Sequence, residues 1–115
     1  MATYPLLAHG EGPGLLWDQH WYSYATLAER ADRLAVVLRD EGVCEDDVVC
    51  ILAPNHIAHV DLIHACILLG ARYAPLNYRL SADEQAPLLD RLKPVLVLLD
   101  PAFAHQLENA GVRTV

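Results

Sequence analysis

The residues able to do chemistry are few and scattered. His56, His59 and His64 fall within one stretch, with Cys66 close behind. That set invites a metal ion. On a helix, His56 and His59 lie about 60° apart and His64 about 80° to the other side of His56. A pair at i and i+3 can chelate, but a tetrahedral site needs further ligands converging from elsewhere. No Cys-x-x-Cys is present, and Cys44 and Cys50 belong to other elements. The expectation is a capping or surface role for His56 and His59, a packed imidazole at His64, and no metal site.

Nucleophilic chemistry fares no better. Ser23 and Ser81 both stand where helices should begin, which accounts for them as caps. No Gly-x-Ser-x-Gly elbow occurs. Cys50 lies in an apolar run, where burial should raise its pKa and leave it unreactive. The stretch Gly10-Glu11-Gly12-Pro13-Gly14 lacks the preceding strand and following helix that a dinucleotide turn requires, so it reads as an arm. Asp61 is the one charge in an apolar helix. Since an unpaired buried carboxylate is costly, it should reach a rim or pair with Arg72 or Arg79. The single lysine, Lys93, directly precedes Pro94 in no glycine-rich setting. No residue is assigned a catalytic, cofactor-binding or metal-binding role.

The elements that would hold these side chains are clearer. Leu15-Leu16-Trp17 and His20-Trp21-Tyr22 flank Asp18-Gln19, as in a β-hairpin, although Asp-Gln is not a favoured tight-turn pair. Tyr24, Leu27, Ala28, Ala31, Leu34, Ala35 and Leu38 fall within about 120° of helix surface, and Gly42 supplies a left-handed stop. Val48–Leu52 is a continuous apolar strand of the kind buried on both faces. A second helix, roughly His56 to Leu69, is apolar nearly all round and should be sandwiched between other elements. Ser81 with Glu84 is a capping box. The helix it opens contains Pro87, which predicts a kink or a delayed start. Val95–Leu99 is a further strand, Asp100-Pro101 opens a last helix to Ala110, and Val112–Val115 looks like a strand cut short. Strand and helix thus alternate after the hairpin. The fold class is α/β, with a mainly parallel sheet layered with helices. The chain reads as one unit: an irregular arm over 1–13, a hairpin over 15–24 and β/α layers over 25–115.

Composition sets further bounds. Eight basic residues face fifteen acidic ones, a net charge of -7. No basic stripe is available to neutralise phosphates, which argues against nucleic acid and against an anionic membrane surface. Three cysteines without paired spacing favour free thiols and a reducing compartment. The longest apolar stretch falls far short of the ~20 residues that span a bilayer, and the first residues lack the basic region of a secretory signal. A cytoplasmic location is expected. With glycine counted in place of tyrosine, the apolar share is about 55%, above the ~45–50% of soluble domains. That excess predicts an apolar surface for a neighbour or for self-association.

One ordered set of motifs goes further. It runs Trp21-Tyr22-Ser23-Tyr24-Ala25-Thr26-Leu27, Arg33-Leu34-Ala35, Gly42-Val43, Val49 through Asn55, Ala65-Cys66, Gly70-Ala71 and Pro75-Leu76-Asn77-Tyr78-Arg79-Leu80. Across residues 15–110 this set resembles the start of the adenylate-forming enzymes, the acyl-CoA synthetase and AMP-binding superfamily. Thr26 departs from it, standing where a Glu often completes the first helix cap, and Pro87 is unusual in the third helix. The resemblance implies an enzyme that joins ATP and a carboxylic acid into an acyl-adenylate, then passes the acyl group to a thiol, commonly coenzyme A. A carboxylate is a poor electrophile until one oxygen becomes a good leaving group. Such catalysis needs a glycine-rich loop with a lysine, an acidic residue for Mg²⁺ and a lysine at the adenylating transition state. None can be placed in this chain. The resemblance therefore implies ATP, Mg²⁺ and coenzyme A for the intact enzyme, and none in this fragment. Its substrates would be short-to-medium fatty acids or an aromatic acid such as succinylbenzoate. The chain itself would be an inactive N-terminal portion whose partner is the remainder of the adenylation domain. The alternative is a free-standing, non-catalytic interaction module of the same fold.

Overall fold

The computed structural model describes residues 12–108 and 110–115. In chain order the elements are β1 (Pro13–Trp17), β2 (His20–Ser23), α1 (Tyr24–Asp40), β3 (Val48–Leu52) and α2 (Ile57–Leu69). They continue with β4 (Arg72–Pro75), α3 (Ala82–Leu92), β5 (Leu96–Leu99) and a 3₁₀ helix, Pro101–Leu107. The predicted arm over 1–13 lies, except for its last two residues, outside the described residues.

The hairpin closes where the sequence placed it, with Leu16 opposite Trp21 and Trp17 opposite His20. Asp18 and Gln19 both take left-handed backbone angles, φ 51 and 61, as a type I′ turn demands. Asp-Gln is a poor pair for that turn, so local preference does not explain it. Packing does: Leu15, Trp17 and Tyr22 lie against Leu27, Ala28, Ala31 and Ile57.

Helix α1 begins at Ser23, whose Oγ accepts from the Thr26 amide at 3.1 Å. The same hydroxyl donates to Thr26 Oγ1 at 3.0 Å. Thr26 thus joins the cap itself. Leu27, Ala28, Ala31, Ala35 and Leu38 are buried as their spacing requires.

The central sheet is parallel throughout, in the order β4-β3-β5. Strand β3 feeds α2 and then β4 on one side, while α3 carries the chain back past β3 to β5. Right-handed crossovers running in opposite directions place their helices on opposite faces. The packing follows that rule. Val49 and Ile51 face α1 and α2, meeting Leu38, Leu62 and Ala65, while Cys50 and Leu52 face Leu76, Leu89 and Leu107. Both sides of β3 are therefore buried, which is why its sequence is continuously apolar. At the C-terminus, the predicted strand over 112–115 reduces to one parallel bridge, Val97 with Thr114.

Three local readings need correction. Helix α3 starts immediately after Ser81, where both arms of the capping box form at 3.2 Å, so Pro87 does not delay it. The box and the burial of Gln85 and Leu89 outweigh the one hydrogen bond a proline removes. The last helix is 3₁₀ and ends at Leu107. In that tighter form residues i and i+3 eclipse, which sets Phe103 and Gln106 on one side; Phe103 meets the Tyr78 ring, and Gln106 meets its carbonyl. Finally, α2 is not sandwiched all round. Ile63 and Ile67 are exposed, and no described element covers that face.

Candidate functional site

In open α/β sheets ligands sit outside the carboxyl ends of the strands, where the chain order reverses. Here that point is the end of β3, beside β5. A cleft of about 460 Å³ lies there, with Ile51, Ala53, His56, Leu98, Asp100 and Pro101 among its walls.

Its two polar side chains each cap a helix. His56 Nδ1 accepts from the Ala58 amide at 3.0 Å and so caps α2, while its ring lies 4.7 Å from that of Trp17. The Asp100 carboxylate accepts from the Ala102 amide at 3.0 Å and caps the 3₁₀ helix. Behind them, His59 holds the loop after β3. Its Nε2 lies 3.0 Å from the Ala53 carbonyl and its Nδ1 2.9 Å from the Tyr73 hydroxyl. A carbonyl only accepts, so Nε2 carries the proton and Nδ1 accepts from Tyr73. The cleft offers apolar walls and fixed caps. Among the described residues that line it there is no Ser, Thr, Cys, Lys or Arg.

The other candidates are spread through the fold. His56 is an exposed cap, His59 is tethered as above, and His64 is half-buried on α2. Among the described residues no three His, Cys, Asp or Glu side chains converge to hold a metal ion. Ser23 and Ser81 are caps. Lys93 is exposed and ends α3 in a left-handed conformation. Gly12 accepts from the Tyr24 amide and leads into β1, so the described part of the glycine-rich stretch, 12–14, opens a hairpin.

Asp61 pairs with neither Arg72 nor Arg79. Its carboxylate takes two parallel bonds from Arg30 on α1, 3.1 Å from Nε and 2.8 Å from Nη2. Arg72 instead approaches Asp46, and Arg79 lies over the Tyr78 ring. The hydrogen bond to Asp61, against some desolvation, raises the Arg30 pKa further above its ordinary value. Tyr22 lies under the same guanidinium. The arrangement fastens α1 to α2 and leaves no free charge for catalysis.

Burial pushes the Cys50 and Cys66 thiols up to about 11, whereas Cys44 is exposed. Since the thiolate is the reactive form, iodoacetamide at neutral pH should label only Cys44 in the native protein and all three in denaturant. Native labelling of Cys50 or Cys66, read by mass spectrometry, would contradict that packing.

Burial also holds the His64 imidazole below its ordinary value of 6.5, partly opposed by the Asp61 charge. The unfolded chain then takes up this proton more readily than the fold does. His64 therefore favours folding above about pH 6.5 and does so less as pH falls below it. His64→Gln should flatten that part of the profile, measured as urea midpoints at about pH 7.5 and about pH 5.5. An unaltered slope would contradict the assignment.

Sequence reasoning missed Arg30, Tyr73, Gln85 and Gln106, whose partners are distant in the chain. No helix among the described residues is long and apolar enough to cross a membrane.

Comparison with known proteins shows what this arrangement is similar to. The family model described as AMP-binding enzyme matches residues 8–114. Indoleacetate–CoA ligase of Aromatoleum aromaticum is 36% identical over 86 residues, 75% of this chain and 17% of that protein. 2-Succinylbenzoate–CoA ligase of Geobacillus kaustophilus is 36% identical over 89 residues, 77% of this chain and 18% of that protein. Among solved structures, o-succinylbenzoate CoA synthetase of Bacillus subtilis, bound with its product analogue, superposes with a TM-score of 0.88. It is 27% identical, covering 97% of this chain and 24% of that one. The chain thus spans less than a quarter of each of these proteins.

Proposed function

This chain belongs to the AMP-binding enzyme family, the adenylate-forming superfamily, and we propose that it is the opening portion of the adenylation domain of an ATP-dependent acid–CoA ligase. The observation that carries this reading is a family match over residues 8–114 together with a fold that follows a CoA synthetase over 97% of the chain.

On this reading, the residues described here build the scaffold and later polypeptide supplies the chemistry. They do not fit ATP or Mg²⁺ themselves. The lone lysine is an exposed helix end, and the acidic side chain in the cleft wall is occupied as a cap. The segment is accordingly inactive alone. The apolar face of Ile63 and Ile67 is where it meets the remainder of the domain. Free thiols at Cys44, Cys50 and Cys66 suit a reducing cytoplasm.

For the intact protein we favour an aromatic carboxylic acid, because both relatives above carry one in their names. The test is to incubate the intact polypeptide with ATP, Mg²⁺, coenzyme A and a panel of acids. Indoleacetate, succinylbenzoate, benzoate, butyrate and octanoate would be included, with acyl-CoA read by mass spectrometry. Thioester should form, and from an aromatic acid before an aliphatic one. Absence of thioester from every acid would overturn the ligase reading, and aliphatic acids alone would overturn the substrate class.

A further inference from the structure

The 3₁₀ helix Pro101–Leu107 is seven residues long, beyond the three or four that its poor hydrogen-bond geometry usually sustains. Side chains on one flank tie it down. Phe103 packs 5.4 Å from the Tyr78 ring. Beside it, the Gln106 amide nitrogen donates to the Tyr78 carbonyl.

Gln106 is 6% exposed, and Gln85 on α3 is fully buried. Gln85 Nε2 donates twice, to the Asn77 carbonyl at 2.7 Å and to Gln106 Oε1 at 3.0 Å. The two loop carbonyls can only accept, so both amides must turn their nitrogens toward the loop. Gln85 Oε1 is left buried with no hydrogen-bond partner among the described residues. The fold tolerates an unmet acceptor, which native structures seldom do, while two consecutive carbonyls between β4 and α3 are held.

We propose that Gln85 and Gln106 form a latch, so that the loop 77–80 and the 3₁₀ helix open and close as one unit, independently of the parallel sheet. The sheet has its own support. Strand β3 is hydrogen-bonded on both edges, and on the face away from the 3₁₀ helix Val49 and Ile51 are packed with Leu38, Leu62 and Ala65. The loop and the 3₁₀ helix meet through Phe103 and the two amides in the contacts named above, and Tyr78, Phe103 and Leu107 share one apolar cluster. Loss of either amide removes a buried donor shared by both segments.

Hydrogen exchange by mass spectrometry on the intact polypeptide tests the latch. In Gln106→Leu, peptides covering 76–81 and 101–108 should exchange at least roughly tenfold faster, together, as the bonds to Tyr78 and from Gln85 are both lost. Peptides covering 48–52 should keep their rate. Acceleration confined to one of the two segments, or an equal acceleration in 48–52, would overturn the proposal. Gln106→Glu keeps the length and the acceptor but loses the donor to Tyr78, and should give the same paired pattern should the leucine variant fold poorly. The double variant Gln85→Leu, Gln106→Leu should open less often than the product of the two single effects, because the Gln85–Gln106 bond is lost once in all three variants. Multiplicative effects would show two separate anchors and overturn the single unit.

Discussion

Arg30→Ala should destabilise the protein by about 2–4 kcal/mol and Asp61→Ala by only about 1–2 kcal/mol. The asymmetry follows from where each charge is left. Asp61 is 8% exposed on the inner side of α2, so without Arg30 its carboxylate keeps a buried charge and loses two hydrogen bonds. The Arg30 side chain is 33% exposed, and without Asp61 its guanidinium can swing into water on a long stem. The partial exposure of Arg30 holds the first figure below the full cost of breaking a deeply buried pair. Replacing both, as Arg30→Met with Asp61→Leu, should recover much of the loss, because a well-packed apolar pair often matches a buried ion pair. Urea unfolding of the two single variants and the double variant measures all three. Equal losses from the single changes would contradict the geometry.

Ile51→Ala should cost about 3–4 kcal/mol, and Ile51→Val about 1 kcal/mol. Ile51 occupies the middle strand and is 1% exposed, held beneath α1 and α2 with Leu38, Leu62 and Ala65. Helices lie on both faces of β3 and strands on both edges, so little can collapse into the space that truncation leaves. Domains are stable by only about 5–15 kcal/mol, so the alanine variant should show a sharply lowered midpoint. A loss under about 1 kcal/mol would mean that the site relaxes, and that β3 is not the fixed centre of the fold.

The parts of this fold that could be read from the sequence are those set by near neighbours. Ser23 and Ser81 cap helices through bonds to residues three positions on, and Gly70 ends α2 in the left-handed conformation. Such signals lie within a few residues of each other. The doubly buried β3 was legible because two covered faces leave no polar position. Asp61 was misassigned for the opposite reason. Arg72 and Arg79 are closer in the chain, but the partner lies 31 residues upstream on a helix whose position depends on the α1–α2 packing. Gln85 and Gln106 lie 21 residues apart, and the carbonyls they hold come from Asn77 and Tyr78, so no short-range spacing signals the pair. At the cleft, the order of the motifs identified the family, yet the side chains there are caps and apolar walls. On the function proposed above, the chemistry was not legible because later polypeptide supplies it.

The most direct test of that view is acid-dependent exchange of labelled pyrophosphate into ATP, run with residues 1–115 alone and with the intact polypeptide, each with Mg²⁺ and the same acids. Exchange should occur with the intact polypeptide and stay at background for the isolated segment. Exchange above background by residues 1–115 would place reactive groups within this segment and contradict the scaffold assignment.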